Sequence, residues 1–152
     1  MSYTRLLYHI VFRPLHSTPA ITVEHEELLY RYIWGLIKRK NCILYRIGGM
    51  PDHIHLLVDI RPTISVSDFM RDLKTASHKF MQDNSDKFPF FCGWGKSYCA
   101  ISCSESAKER IINYIKGQKL HHRRISFVDE IKSIFESNEL SETELYYFIN
   151  DK

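Results

Sequence analysis

Two histidines stand two positions apart in the apolar stretch from Met50 to Ile60, which the pattern predicts to be a β-strand. Side chains alternate between the faces of a strand, so His53 and His55 share one face while Ile54, Leu56 and their aliphatic neighbours form a core face. Two imidazoles held side by side on a strand packed from behind can share one cation. The competing interpretation of the pair is a polar strand face without a ligand.

A tyrosine and a glutamine one helical turn apart supply the nucleophile and the further ligand that a two-histidine site lacks. Tyr114 and Gln118 lie at i and i+4 in a segment of helical periodicity, so they project from the same side of the helix. Two imidazoles and an amide oxygen suit a divalent cation that binds phosphate oxygens, and a phenol is a nucleophile. Without the histidines, the pair would be an ordinary half-buried tyrosine and a surface glutamine.

Length and composition indicate one soluble domain over residues 1–152, with 44% hydrophobic and 26% charged residues. We expect a cytoplasmic protein without a membrane partner, because the sequence shows no signal peptide and no apolar run long enough to cross a bilayer. A net charge of +3 permits a phosphate-bearing partner without requiring one. The four cysteines form no C-x-x-C pair, and we assign them no function.

The predicted elements follow the order β, α, β, β, α, β. Strands are predicted at about 3–13, 42–47, 53–60 and 96–103, and helices at about 22–40, 65–82 and 104–120. This order is that of a ferredoxin-like split βαβ fold, an α+β sandwich whose antiparallel sheet carries helices on one face. The histidine face is then open, and must be hydrated, paired with another subunit or used for a ligand.

Beyond a core of about residues 3–120, we predict a helical C-terminal tail over residues 121–152. It contains a helix from about residue 126 to 136 and a segment of uncertain form from 142 to 149. Between the second helix and the fourth strand, residues 84–94 are irregular and rich in aromatic side chains. These side chains can stack on unpaired bases or simply pack over the core.

Further polar side chains are candidates for contact with nucleic acid. They are His9 on the first strand, Arg71 and Lys74 on the second helix, and His121, His122, Arg123 and Arg124 after the tyrosine helix. The cationic residues among them are candidates for phosphate contacts. His9 lies on a strand that can flank the histidine strand, where a contact to a metal ligand or to DNA is possible. A solvated surface is the competing interpretation for each.

These motifs resemble those of the HUH nucleases, and in particular the small single-tyrosine transposases of insertion sequences. His53-Ile54-His55 matches the histidine, hydrophobic residue, histidine signature, and Tyr114-Ile-Lys-Gly-Gln118 is similar to the tyrosine helix of that family. The resemblance covers nearly the whole chain and includes Tyr8–Phe12, Gly49–Leu57, Arg71–Lys74, Gly95–Ala100 and His121–Phe127. Lys116-Gly117 departs from the family pattern, where an acidic residue and an amide are common, and a glycine inside a helix costs about 1 kcal/mol.

The resemblance implies a ferredoxin-like homodimer that cleaves and rejoins single-stranded DNA at transposon ends and recognises imperfect hairpins. It implies Mg²⁺ or Mn²⁺ bound by His53, His55 and Gln118, with Tyr114 as the nucleophile that forms a 5′-phosphotyrosine. In such proteins the tyrosine helix can be exchanged between subunits, so the site can lie within one chain or between two. The residues themselves show no dedicated base for the phenol.

Other functions compete with this one. A histidine-triad nucleotide hydrolase needs a third alternating histidine where the chain has Leu57, and a two-histidine phosphoesterase needs a second histidine motif that the chain lacks. We therefore expect no small-molecule substrate. A nucleic-acid-binding protein of the same fold without strand transfer stays open, as does a purely structural protein. The presence of all four chemical residues favours the enzyme.

Overall fold

A four-stranded antiparallel sheet forms the centre of the computed structural model, which describes residues 2–151. The strands are β1 (Leu7–Phe12), β2 (Ile43–Met50), β3 (His53–Asp59) and β4 (Cys99–Cys103). The helices are α1 (Glu26–Arg39), α2 (Val66–Asp83), α3 (Lys108–Lys116), α4 (Gln118–His121), α5 (Phe127–Ser137) and α6 (Glu142–Asn150), with single 3-10 turns at Leu15–Ser17 and Glu105–Ala107. The strand order β2-β3-β1-β4 confirms the predicted α+β, ferredoxin-like fold.

The histidine strand β3 lies between β1 and β2 and is buried along its whole length. It pairs with β1 in a register that places Val11 beside His55 and His9 beside Leu57. Since side chains two residues apart on neighbouring strands share a face diagonally, this register brings the rings of His9 and His55 together. The pairing of β1 with β3 therefore positions a third histidine next to the predicted pair.

The helices α1 and α2 pack on one face of the sheet, as predicted. Their apolar stripes, which include Leu29, Ile33, Phe69 and Leu73, meet the aliphatic face of β3 formed by Ile54, Leu56 and Val58. The alternation of β3 therefore sends its aliphatic residues toward α1 and α2 and its histidines to the opposite face. Among residues 2–151, none of the helices has the length and apolar character needed to cross a membrane.

The opposite face is covered, so the expectation of an open histidine face is wrong. Ile111 and Ile115 of α3 pack on Leu57. The apolar stripe of α5 and α6, formed by Phe127, Ile131, Phe135 and Phe148, packs on Val11 and Cys99. An amphipathic helix needs an apolar surface, and the C-terminal tail finds one on its own sheet. His53 and His55 are consequently 0% exposed.

The observed elements differ from the predicted ones at three places. The helix predicted over 104–120 is divided at Gly117, which has a ψ of 8° and separates α3 from α4. The segment of uncertain form is helix α6, which begins with a capping box between Ser141 and Glu144. β1 is shorter than predicted, since regular pairing begins at Leu7.

Gly48 lets the tyrosine helix approach the sheet closely. A Cβ atom at this position of β2 would lie 3.0 Å from the carbonyl oxygen of Ile115 and 3.1 Å from its side chain. Because glycine has no Cβ, α3 can rest directly on the β2 backbone. This contact fixes the depth at which Tyr114, the neighbour of Ile115, meets the histidine face.

Candidate active site

His53 is held at the start of β3 by a hydrogen bond behind its ring. Its Nδ1 lies 2.8 Å from Asp52 Oδ1, while its Nε2 lies 3.0 Å from Gln118 Oε1 and 3.2 Å from Glu130 Oε1. Burial would lower the pKa of His53, but the hydrogen bonds to Asp52 and Glu130 outweigh it and raise that pKa to about 9. The ring is thus oriented and placed in a strongly negative environment.

His55 is held in the same manner by another histidine. Its Nδ1 lies 2.8 Å from His9 Nε2, and its Nε2 lies 3.2 Å from Glu130 Oε1. Burial lowers the pKa of His9 to about 3, and the electrostatic interaction with His55 contributes to this lowering. The structure therefore places His9 directly behind a candidate metal ligand.

Tyr114 and Gln118 reach the histidines from the same chain. The Tyr114 hydroxyl donates a hydrogen bond to Glu130, and its ring centroid is 5.7 Å from that of His55. Gln118 is 1% exposed, and its Nε2 donates to Glu130 Oε2 at 2.7 Å. The helix break at Gly117 does not separate the pair, so one chain brings together all four residues that the sequence selected.

Glu130, which the sequence analysis missed, lies at the centre of the site. This carboxylate of α5 is 1% exposed and contacts His53, His55, Tyr114 and Gln118. Burial alone would raise the pKa of Glu130, but hydrogen bonds with His53, His55 and Gln118 hold it well below its usual range. A signal was present in the sequence, because Glu130 lies within the apolar stripe formed by Phe127, Ile131 and Ile134.

Two further histidines, His121 at the end of α4 and the adjacent His122, also face this carboxylate. His122 Nε2 lies 3.0 Å from Glu130 Oε1, and its Nδ1 lies 2.9 Å from the carbonyl oxygen of Ile125. His121 Nε2 lies 3.4 Å from Glu130 Oε2 but lacks the geometry of a hydrogen bond. Both were predicted as candidates for DNA contact, and the structure places them inside the site.

The other predicted nucleic-acid contacts lie away from the site. Arg123 and Arg124 are exposed in the turn before α5. Arg71 is exposed on α2 and pairs with Asp68 at 3.0 Å. Lys74 donates to the carbonyl oxygens of Gly95 at 2.8 Å and Lys96 at 3.1 Å, so it holds the segment that leads into β4. Their predicted contacts with DNA stay predictions.

The donor set fits a divalent cation. Ligand atoms of His53, His55 and Glu130 all lie within 4.8 Å of one another, and the amide oxygen of Gln118 faces the same point. Imidazole nitrogen together with carboxylate and amide oxygen is a set that first-row divalent ions accept. The histidines are oriented from behind by Asp52 and His9, as metal-binding imidazoles are in general.

A His-x-His strand facing a tyrosine helix on a ferredoxin-like sheet defines the HUH class of tyrosine nucleases. Residues 2–118 match the family model described as IS200-like transposase. The chain is 27% identical over 118 residues to the ISDra2 transposase TnpA of Deinococcus radiodurans, a match covering 75% of this chain and 84% of that protein. It is 30% identical over 115 residues to the transposase for insertion sequence element IS200 of Salmonella typhimurium, covering 73% and 75%. The chain belongs to the IS200-like transposase family.

Solved structures share the fold. A proposed transposase from Deinococcus radiodurans superposes with a TM-score of 0.61 at 27% identity, covering 77% of this chain and 93% of that one. A REP-associated tyrosine transposase, solved bound to a REP hairpin, matches with a TM-score of 0.59 at 12% identity, covering 80% and 72%. The match to the family model ends at Gln118, so His122, Glu130 and the helices α5 and α6 lie beyond the matched residues.

Proposed function

We propose that this protein cleaves and rejoins single-stranded DNA at transposon ends through a covalent bond between Tyr114 and the 5′-phosphate. His53, His55 and Gln118 would hold a divalent cation, Mg²⁺ or Mn²⁺, beside the reacting phosphate. The observation that carries the proposal is the convergence of the Tyr114 hydroxyl with both imidazoles and the Gln118 amide within one chain of a transposase family. A cation bound there would stabilise the negative charge that develops on the phosphate, a contribution of several kcal/mol.

In the cleavage step, the Tyr114 oxygen attacks phosphorus and the bond from phosphorus to the 3′-oxygen breaks. The phenol gives up its proton to water, and the departing 3′-oxygen takes one up from water. Burial and the hydrogen bond to Glu130 raise the pKa of Tyr114 above its ordinary value, so the free protein holds the hydroxyl protonated. Glu130 Oε2 accepts this hydrogen bond and so orients the hydroxyl proton.

Rejoining is the reverse of this step. A 3′-hydroxyl of another DNA end attacks the phosphotyrosine and displaces the Tyr114 oxygen, which recovers a proton. The number of phosphoester bonds is unchanged in each direction, so the reaction needs no nucleotide cofactor. One tyrosine is enough for such an exchange, provided that it stays close to the incoming hydroxyl.

A cleft of about 610 Å³ between α3, α5 and β4 gives access to the hydroxyl. Its lining includes Tyr114, His9, His121, Glu130 and Arg110. Arg110, on the exposed side of α3, places a positive charge where the DNA backbone would enter. Arg110 is a candidate phosphate contact that the sequence analysis did not select.

We further propose that the substrate ends carry hairpins, which is consistent with the REP hairpin bound by the structural relative. The homodimer implied by the family resemblance also stays a proposal. Every residue assigned to the chemistry lies within one chain, so the proposed reaction requires no side chain from a partner subunit.

A covalent-attachment assay tests the proposed function. Labelled single strands containing hairpins from the DNA that flanks the coding sequence are incubated with protein and Mn²⁺ or Mg²⁺, and denaturing gels reveal the adduct. We expect an adduct with the wild type and none with Tyr114→Phe. The control Tyr146→Phe changes a tyrosine on α6 that is 63% exposed and should behave as the wild type. Retention of DNA without any adduct would instead favour a binding protein of the same fold.

A further inference from the structure

A second cleft, of about 540 Å³, lies between α2 and the segment that leads into β4. Its lining includes Lys74, His78, Lys79, Trp94, Gly95 and Lys96. Three lysines and a histidine therefore face one space, and within the described residues 2–151 no aspartate or glutamate belongs to the lining. The whole chain carries 21 lysines and arginines against 18 acidic residues, so the cleft concentrates a positive charge that is nearly balanced elsewhere. Such a cleft attracts an anion.

Hydrogen bonds hold the floor of this basic cleft in place. Lys74 Nζ donates to the carbonyl oxygens of Gly95 at 2.8 Å and Lys96 at 3.1 Å. The indole Nε1 of Trp94, which is 9% exposed, donates to Ser77 Oγ at 3.0 Å. The carbonyl oxygens engage the ammonium group of Lys74, so this lysine chiefly fixes the segment on which Lys96 stands. The charges left for an anion are those at the rim.

Lys79 and Lys96 form the rim of the basic cleft, and both are exposed. Lys79 pairs only with Asp83, one helical turn away, at 3.1 Å, and its side chain is 77% exposed. Ion pairs as exposed as this one contribute little to stability, so Lys79 can exchange its partner for a phosphate at little cost. Among residues 2–151, no carboxylate forms an ion pair with Lys96. Two ammonium groups are therefore available on opposite sides of the cleft.

The basic cleft lies at the same end of the sheet as His53. The backbone N–H of Gly95 donates to the carbonyl oxygen of Arg13 at 2.9 Å, and Arg13 directly follows β1. The end of β1 pairs with the start of β3, where Phe12 lies beside Ile54. The cleft is on the α2 side of the sheet and the candidate active site is on the other side. A DNA strand bound at the active site can reach the cleft by passing this end of the sheet.

We propose that Lys79 and Lys96 bind backbone phosphates of the substrate strand outside the position that is cleaved. This inference rests on the proposed function, which brings single-stranded DNA to the histidine face. Each ammonium group would neutralise one phosphate without reading a base, so the contact should hold the strand independently of its sequence. The basic cleft would thus supply affinity, while the histidine face supplies the chemistry.

The salt dependence of DNA binding tests this assignment. Fluorescence anisotropy with a labelled single strand that contains a flanking hairpin measures the affinity of the full chain over a range of NaCl concentrations, with a chelator present to prevent cleavage. Each single-strand phosphate that a protein neutralises contributes about 0.7 to the slope of log K against log salt. The double variant Lys79→Gln/Lys96→Gln should therefore have a slope shallower by about 1.4, which over one decade of salt is about a 25-fold difference in affinity.

The double variant Lys38→Gln/Arg39→Gln is the matched control, because it removes the same charge from two exposed positions in the last turn of α1. Its slope should equal that of the wild type. An unchanged slope for Lys79→Gln/Lys96→Gln would overturn the proposal and make the cleft a solvated surface. Equal losses in both double variants would also overturn it, since net charge alone would then explain the effect.

Formation of the covalent adduct separates this inference from the proposed function. With Mn²⁺ present, Lys79→Gln/Lys96→Gln should form less adduct than the wild type at limiting DNA and the same amount at saturating DNA, because neither lysine lines the cleft at Tyr114. A loss that persists at saturating DNA would overturn a role confined to binding. If the wild type forms the adduct and the double variant binds DNA with an unchanged slope, only this inference fails. If the slope falls as expected but the wild type forms no adduct, the proposed strand transfer fails and the basic cleft remains a DNA-binding surface.

Discussion

The Tyr114 hydroxyl donates a hydrogen bond to Glu130, which joins the tyrosine helix of the family domain to the extension that follows it. The same carboxylate faces the imidazoles of His53 and His55. One buried side chain therefore links the proposed nucleophile with the proposed metal ligands. The position and charge of Glu130 should consequently control the ionisation of the phenol.

Replacing Glu130 by glutamine should lower the pKa of Tyr114. Burial raises that pKa most, and the hydrogen bond and negative charge of Glu130 add to it, so a neutral amide removes the contribution of the charge and weakens that of the hydrogen bond. The measurement is titration of the tyrosine ring followed by NMR in protein labelled at tyrosine, without metal. Glu136→Gln, on the exposed side of α5, should leave the resonance unchanged. A Tyr114 pKa equal to that of the wild type would mean that burial alone sets it.

Replacing Asp52 by asparagine should weaken metal binding by about 10- to 100-fold. The neutral amide can still accept from His53 Nδ1, but it no longer supplies the charge that makes the ring a strong ligand. In the metal-free protein, the pKa of His53 should fall below about 9, because the Asp52 hydrogen bond and charge both raise it. Mn²⁺ titration and histidine NMR measure the two effects. Asp129→Asn, an exposed position on α5, is the matched control, and equal losses in both variants would contradict a specific role for Asp52.

The metal-free protein should lose stability as the pH falls below 6.5, because of His9. Its pKa is about 3 in the folded protein and 6.5 ordinarily, so between these values the unfolded chain binds a proton that the folded chain does not. The unfolding free energy should therefore fall by about 1.4 kcal/mol per pH unit from this group alone.

Urea denaturation at several pH values, with a chelator present, measures this slope. His9→Gln keeps a group that can hydrogen-bond to His55 but cannot titrate, so its slope between pH 6.5 and 4.5 should be shallower than that of the wild type. His55, whose pKa burial also lowers, leaves part of the slope in the variant. The same slope for His9→Gln and the wild type would show that other groups cause the acid sensitivity.

Much of the fold follows from the sequence because its periodicities are local. The alternation in β3 assigns Ile54 and Leu56 to the core and the two histidines to the other face, and the spacing of Tyr114 and Gln118 places both on one side of their helix. These patterns need no knowledge of distant residues. They predicted four residues that the structure brings together.

The apolar stripe around Glu130 indicates that this residue is buried, but its contacts with the histidines could not be predicted because they depend on where the tail docks. A carboxylate early in an amphipathic helix ordinarily stabilises the helix N-terminus or faces solvent. Only the packing of Phe127 and Ile131 against the sheet turns this one toward the histidines. The expectation of an open face failed for the same reason, since strand periodicity shows which face is polar but not what covers it.

Replacing Gly48 by alanine should destabilise the protein and displace the tyrosine helix. The new methyl group would lie 3.0 Å from the Ile115 carbonyl oxygen, so α3 must move outward by a few tenths of an ångström. Overpacking of this kind costs about 1–3 kcal/mol. Gly35→Ala is the matched control, because its methyl group would meet only the flexible end of Arg39 at 3.7 Å and α1 would gain about 1 kcal/mol. Urea denaturation should thus move in opposite directions for the two variants, and adduct formation should fall only in Gly48→Ala. A Gly48→Ala protein as stable and as active as the wild type would show that α3 does not depend on this close approach to place Tyr114.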